Sequence, residues 1–536
     1  MNKPDKKNKQ APRRGDPQPI RRQAVVVVHG QGEQRPMGTI RDFVEALWTR
    51  DAALKLQDPR LDDKHRGKRS WIVPDDKDGL FDIQRVTCPA LEGGRRTDFF
   101  ELYYADIFNG TPLFTLWRWL RRLLWINPAH VTDRMRWPWR VFWLLAICAA
   151  LLTGAVVVSA REIVEFDWIG AFLTKEAQPG LYLLVAGLVL ILVPKLTPLT
   201  NFLWGTSGWI GGALGFLGLA YVYFSIYAFW YLSGLALEVF LAVRFLLPYF
   251  GDAASYLSAH TETVESRQMV RSRGLRLLRS LHDDPAYDRV VIVGHSLGSV
   301  LAYDLLHILW GQVGPTNANP PPAFAQEALG EVDEFIRTHP KDKWSDFEVE
   351  AYQELQWKAF DALRRQGAKD HPEDQARNGW KISDFISLGS PLTSAQFIVA
   401  DGPDDMERLR EDRVMPTAPP RPYNSKFFSF YEEPSGAFSA HHGSVFSVVR
   451  WSNVFDPFHP LLIMLGDPIG GPVSGKELFG AGVLDIAQRI SGADPRERVF
   501  THNSYWKNTS HDWDAPAPHI LLLRRLVDIA RPTPAP

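Results

Sequence analysis

The stretch Arg289-Val-Val-Ile-Val-Gly294-His295-Ser296-Leu297-Gly298 sets a serine between two glycines. A β-branched apolar run leads in, and helical spacing at Leu297, Val300, Leu301 and Leu305 leads out. A strand turning sharply into a helix lifts the central hydroxyl clear, and the glycines let strand and helix crowd together. The helix N-terminus behind Ser296 favours negative charge developing there. These features suit a serine nucleophile attacking an acyl carbon, a reaction that also needs two N–H donors for the oxyanion. Leu297, next after the nucleophile, is expected to supply one. The second is expected from Val25-Val-Val-Val28-His29-Gly30-Gln31-Gly32, a strand ending in a glycine turn, with Gln31 or Gly30 as donor. The turn lacks the G-x-G-x-x-G spacing and any Gly-Lys-Ser/Thr, which argues against phosphate binding.

A serine of this kind needs an acid and a histidine later in the chain, in that order. Asp456, in Asn453-Val-Phe455-Asp456-Pro457-Phe458-His459-Pro460, follows an apolar run and is the preferred acid. Asp467, in Gly466-Asp467-Pro-Ile-Gly-Gly-Pro, is the alternative acid. His502, in Val499-Phe-Thr-His502-Asn-Ser-Tyr505-Trp506, follows both acids in a polar stretch and is the expected base; His459, His511 and His519 are weaker candidates.

Together these motifs resemble the α/β-hydrolase superfamily. The residues that carry the likeness are His29-Gly-Gln-Gly-Glu33, Gly-His-Ser-Leu-Gly followed by Ser299-Val-Leu-Ala-Tyr-Asp304, and Asn-x-Phe-Asp-Pro-x-His-Pro, with His-x-x-Tyr-Trp around His502. Within that superfamily the chain is similar to lipase-like serine hydrolases, including the intracellular phospholipase A1 (DDHD-type) group, as a bacterial-style membrane-anchored member. The likeness covers about 23–105 and 260–525. It departs at His459, where that group tends to carry an aspartate. The resemblance implies the fold and ester hydrolysis and leaves the substrate open.

The elements that must position these residues alternate. Strands are expected at Ala24–Val28, Phe81–Val86, Phe99–Tyr104, Val290–Val293, Phe385–Leu388 and Ser447–Trp451, and helices at Arg41–Thr49, Thr261–Leu281, Leu297–Trp310 and Asp346–Arg365. Such interleaving predicts an α/β domain with a mostly parallel sheet flanked by helices. A transmembrane helical insertion is expected to interrupt it. Residues 141–160 carry no charge over a length of about 30 Å, enough to span hydrocarbon. Uncharged runs follow at 177–194 and 196–237. Four crossings, near 141–160, 179–197, 202–221 and 223–243, fit these lengths; two is the alternative. An even number is required if the turn at Gly30 and the nucleophile are to meet on one side.

Arginines 118, 121, 122, 134, 136 and 140 precede the first run, and 244, 267, 271, 273, 276 and 279 follow the last. The positive-inside rule then places both soluble parts in the cytoplasm, on an integral inner-membrane protein. Leu113–Ile126 segregates Arg118, Arg121 and Arg122 from Leu113, Leu116, Trp117, Leu120 and Leu124, as in an interfacial helix.

The expected organisation is a disordered basic tail (1–22), a first hydrolase segment (23–110), the interfacial and transmembrane helices (111–250), the nucleophile segment (251–310), a helical cap over the pocket (311–380) and a C-terminal segment with acid and histidine (381–536). The chain has 536 residues with 60 Lys+Arg against 61 Asp+Glu, so no polyanion or nucleic-acid partner is implied. Cys88 and Cys148 make no disulfide framework, and no Cys/His cluster has zinc spacing. Neither a metal nor a cofactor is expected. The expected substrate is a lipid or acyl ester presented at the bilayer, and the oligomeric state is left open. A serine-dependent acyltransferase or thioesterase, or a non-catalytic membrane scaffold, are the alternatives.

Overall fold

The structure of the chain is a computed structural model. It describes residues 20–30, 35–51, 70–75, 77, 84–90 and 95–108, isolated positions across 119–151 and 234–257, and 261–529 apart from 316–320, 322, 366–378, 423–426, 433–437, 459–464, 491–497 and 499. The chain divides into two compact units, one of Met1–Trp119, Ile126–Thr132 and Gly251–Pro536, the other of Leu120–Trp125 and Asp133–Phe250.

The first unit is built on a mixed sheet of eight strands. These are β1 (Arg22–Val28), β2 (Trp71–Pro74), β3 (Gln84–Cys88), β4 (Arg96–Leu102), β5 (Arg289–His295), β6 (Ile382–Leu388), β9 (Arg450–Phe455) and β10 (Leu484–Ala487). A separate hairpin pairs β7 (Phe430–Glu432) with β8 (Phe438–Ala440). The sheet order is β10-β9-β6-β5-β1-β4-β3-β2. Every neighbour from β10 to β4 is parallel, and β3 pairs antiparallel with both β4 and β2. After β4 the chain returns to the other side of β1 to lay down β5. The crevice beyond the carboxyl ends of β1 and β5 is thus a topological switch point, where open parallel sheets leave room for a ligand.

A parallel sheet must be covered on both faces, so its strands are apolar on both sides. In β1, Val26 and Val28 enter one core with Ile292, Leu301 and Phe385. Val25 and Val27 enter the other with Phe43, Val291 and Ile520. Helices α1 (Gly38–Val44, continuing helically to Thr49), α2 (Thr261–Asp283), α3 (Leu297–Val313), α4 (Ala323–Thr338), α5 (Asp346–Arg364), α6 (Ala395–Ile398), α7 (Pro403–Glu411) and α8 (Pro518–Val527) surround the sheet.

Several expectations shift. The tail expected over 1–22 lies outside the described residues as far as residue 19; Ile20 is buried, and the N–H groups of Arg21 and Arg22 donate to Asp288 at 2.9 and 3.0 Å as β1 begins. The strand expected at Ser447–Trp451 starts at Arg450 and runs to Phe455. Val445–Ser447 is a helical turn that fills the core with Val445 and Phe446. The strand itself carries buried polar residues, with Asn453 bonded to Ser387 and Asp485 across the sheet. That polarity hides it from an apolar-run criterion.

Residues 311–380, expected to cap the pocket, supply α4 and α5 among the described residues. Tyr352 and Phe360 on α5 are fully buried, and the Gln356 amide donates to the carbonyls of Phe446 and Val449. Trp357 lies against Arg289 and Arg450, which open β5 and β9 at the edge opposite Ser296. The described part of this stretch thus buries an apolar stripe of α5 beneath the sheet.

In the second unit the Trp139 and Trp143 indoles donate to the carbonyls of Leu123 and Leu124, both at 3.1 Å. Leu144 and Leu151 are exposed. The expected crossings fall almost wholly outside the described residues. Among the described residues, no helix is long and apolar enough to cross a membrane.

Candidate active site

The elbow expected at Ser296 forms between β5 and α3. Ser296 has φ 52° and ψ −129°, a conformation that costs a non-glycine residue about 1–3 kcal/mol. Its surroundings enforce it. The Ser296 N–H donates to Leu388 O at 3.0 Å, and Ser296 O accepts from the Ser299 N–H at 2.9 Å and the Ser299 hydroxyl at 2.6 Å. The flanking glycines are a steric necessity: a Cβ on Gly294 would lie 2.6 Å from Ser299 Cα, and one on Gly298 2.2 Å from His29 O. Helix α3 thereby abuts the end of β1.

His502 stands on a helical turn, Thr501–Asn503, beyond β10. Its Nε2 is 2.8 Å from Ser296 Oγ, and its Nδ1 is 3.0 Å from Asp467 Oδ1. With the carboxylate accepting from Nδ1–H, Nε2 is bare and accepts the serine proton, the arrangement a general base needs. The acid facing His502 is therefore Asp467 rather than Asp456, which reverses the preference read from the sequence. Asp456 does leave β9 near the site, but its carboxylate accepts from Thr501 Oγ1 at 2.7 Å and from the Ile490 N–H, and burial raises its pKa. The loop after Asp456 travels on and returns Asp467, whose N–H points to Asp456 O at 3.4 Å, to the position under the imidazole.

Asp467 is fully buried. Burial opposes its charge, yet the His502 imidazole, hydrogen bonds from His502 and Tyr505, and the Gly470 N–H hold its carboxyl well below the usual carboxylate range. The cradle is close. Gly389, at φ 55° after β6, would place a Cβ 2.6 Å from Asp467 Oδ2 and 3.1 Å from His502 Nδ1.

The residues expected to donate to an oxyanion stand unequally. Leu297 is the first residue of α3, where a helix N–H has no partner within the helix. Gly30 follows β1 beside the elbow, with a hypothetical Cβ 3.0 Å from Ser296 Cβ. Gln31 lies outside the described residues. His29 keeps the turn rigid: Nδ1 donates to Gly30 O at 2.6 Å, Nε2 accepts from the Tyr104 N–H at 3.3 Å, and its ring stacks on Tyr104 at 4.2 Å. Burial pushes His29 down to about 4, so it is neutral near pH 7.

Three residues that the sequence does not mark as site residues join the cluster. His295 Nε2 donates to His502 O at 2.7 Å, and burial beside His502 pushes it down to about 3. Tyr505 donates to Asp467 Oδ2 at 2.6 Å. Gly389 closes on the acid as described. His295 stands inside the serine motif and Tyr505 in the His-x-x-Tyr-Trp run, so both are in view; nothing in their spacing assigns them a contact. Of the other histidines, His519 opens α8 with Nε2 2.8 Å from Lys507 O, His511 sits in a left-handed turn, and His459 lies outside the described residues. Among the described residues no cluster of His, Cys, Asp and Glu is suited to a metal ion.

The described residues define an α/β domain whose Ser296, His502 and Asp467 form one hydrogen-bonded line at the carboxyl ends of the parallel strands of a mixed sheet. Comparison with protein-family models, with curated proteins and with solved structures finds no match to this chain.

Proposed function

We propose that this protein is a serine hydrolase of α/β-hydrolase type that cleaves carboxylic esters through an acyl-enzyme. The observation that carries the reading is the continuous line Asp467–His502–Ser296, at 3.0 and 2.8 Å, joining residues from three separate loops. Ser296 Oγ attacks the ester carbonyl as its proton passes to His502 Nε2. The developing oxyanion is met by the Leu297 N–H and by the turn at Gly30. The tetrahedral intermediate collapses, His502 returns the proton to the leaving alkoxide, and an alcohol departs. Water then gives a proton to His502 and attacks the acyl carbon; collapse releases the acid and restores Ser296. Asp467 keeps the imidazole in the Nδ1–H tautomer and stabilises the imidazolium.

The uncharged runs at 141–160, 177–194 and 196–237, flanked by arginines, support membrane anchoring with the catalytic domain facing the cytoplasm. An acyl ester held in the facing leaflet is then the substrate class within reach. A fluorophosphonate probe tests the chemistry. It should label the wild-type chain, and Ser296→Ala should abolish labelling and lower ester turnover by several orders of magnitude. Full labelling of the alanine variant would remove Ser296 from the role.

A further inference from the structure

Each oxygen of the Asp467 carboxylate has its own donor. Oδ1 accepts from His502 Nδ1 at 3.0 Å and from the Ile469 N–H at 2.8 Å, while Oδ2 accepts from the Tyr505 hydroxyl at 2.6 Å. His502 and Tyr505 stand three residues apart on one short segment, so a single piece of chain grips the acid at both oxygens. With the Gly470 N–H as a further donor, the carboxylate is held on several sides, and Tyr505 is the side-chain donor on Oδ2. The direction of the phenol proton is also set. The Asp456 N–H points at the Tyr505 oxygen from 3.2 Å, so that oxygen accepts from Asp456 and donates to Asp467. The Asp456 carboxylate meanwhile accepts from Thr501, at the start of the same segment. Asp456 thus staples both ends of the base-bearing turn, while Tyr505 ties that turn to the acid.

We propose that Tyr505 is a positioning residue of the triad, holding Asp467 in the rotamer that keeps His502 aimed at Ser296, with Asp456 fixing its hydroxyl. The inference rests on the hydrolase reading given above. Tyr505 is 1% exposed, and its ring packs against His295 with centroids 5.8 Å apart, so Tyr505→Phe keeps the packing and deletes one oxygen. The ionisable groups facing this cluster are Asp456, Asp467, His295 and His502, with Arg489 acting on Asp456. Loss of the phenol donor leaves a more basic carboxylate beside the imidazole, which strengthens its hold on the protonated base.

The test is the pH profile of kcat/KM for a p-nitrophenyl ester, together with the rate of fluorophosphonate labelling, on the full chain. Tyr505→Phe should lower both rates about 10- to 100-fold, the effect of one buried hydrogen bond to a charged acceptor. The acid limb should move to higher pH, while labelling still runs to completion. Installing 3,5-difluorotyrosine at position 505 keeps the side-chain framework and strengthens the donor; it should leave the rate near wild type and move the acid limb to lower pH. Rates within twofold of wild type with the limb unmoved in either variant overturn the proposal. If Tyr505→Phe does not fold, the difluorotyrosine chain alone decides it. If the wild-type chain shows no labelling that depends on Ser296, the hydrolase reading falls first and this inference with it.

Discussion

Exchanging each candidate acid for its amide separates their roles. Asp467 receives His502 Nδ1–H on one oxygen and the Tyr505 hydroxyl on the other. In Asp467→Asn the side chain keeps one carbonyl oxygen and gains one NH2 group. If the oxygen stays with Tyr505, the NH2 faces Nδ1, which must then be bare, so Nε2 carries the proton and cannot accept one from Ser296. The same tautomer inversion in serine proteases costs about 10^4 in kcat, or about 5.5 kcal/mol of transition-state stabilisation. Asp456→Asn is gentler, since an amide oxygen can still accept from Thr501 or from the Ile490 N–H. It should cost about 1–3 kcal/mol of stability and less than about 10-fold in kcat. Ester turnover and fluorophosphonate labelling rates, measured on both variants with melting temperatures alongside, make the comparison. A thousand-fold loss in Asp456→Asn beside near-normal Asp467→Asn would refute the assignment of the acid.

Further outcomes follow from the same geometry. Gly389→Ala should lower kcat about 100-fold, because a Cβ 2.6 Å from Asp467 Oδ2 and 3.1 Å from His502 Nδ1 must displace one of them, and misplacing a catalytic group by an ångström costs about that much; an activity equal to wild type would show that the cradle yields freely. Glu101 is fully buried on β4, and burial pushes it up to about 7 from an ordinary 4.5, with partial relief from the Met37 N–H and the Thr39 hydroxyl. A raised carboxyl destabilises the folded state as pH climbs from the unfolded value to the folded one, and the cost is complete above the latter. Glu101→Gln should therefore stabilise the full chain by about 3 kcal/mol at pH 8 and by almost nothing at pH 4, read from thermal or denaturant unfolding at each pH; equal effects at the two pH values would mean the carboxyl does not ionise in this range.

Strongly periodic segments are the most legible part of this sequence. The β-branched runs before His29 and Ser296 could only be buried strands, and the glycines at 294 and 298 announced a turn that other residues cannot make. Those short-range signals placed β1, β5, α3 and the turn at Ser296, and order together with the polar stretch around it favoured His502. Elements of mixed polarity were not legible. The edge strands β2 and β10 are short and half-exposed, and β9 buries Ser452 and Asn453, whose polarity is satisfied by partners distant in the chain.

The choice of acid shows where sequence stops. Asp456 and Asp467 both follow β9 and both precede His502. Which of them lies under the imidazole depends on the path of the loop between β9 and β10. It depends also on the room left by Gly389 and Gly470, and on Tyr505 arriving from another segment to take the second oxygen. Local composition dictates strands, helices and turns, because their energetics act between near neighbours. Three-dimensional packing alone selects among chemically identical side chains, because that choice is made by contacts between residues far apart in the chain.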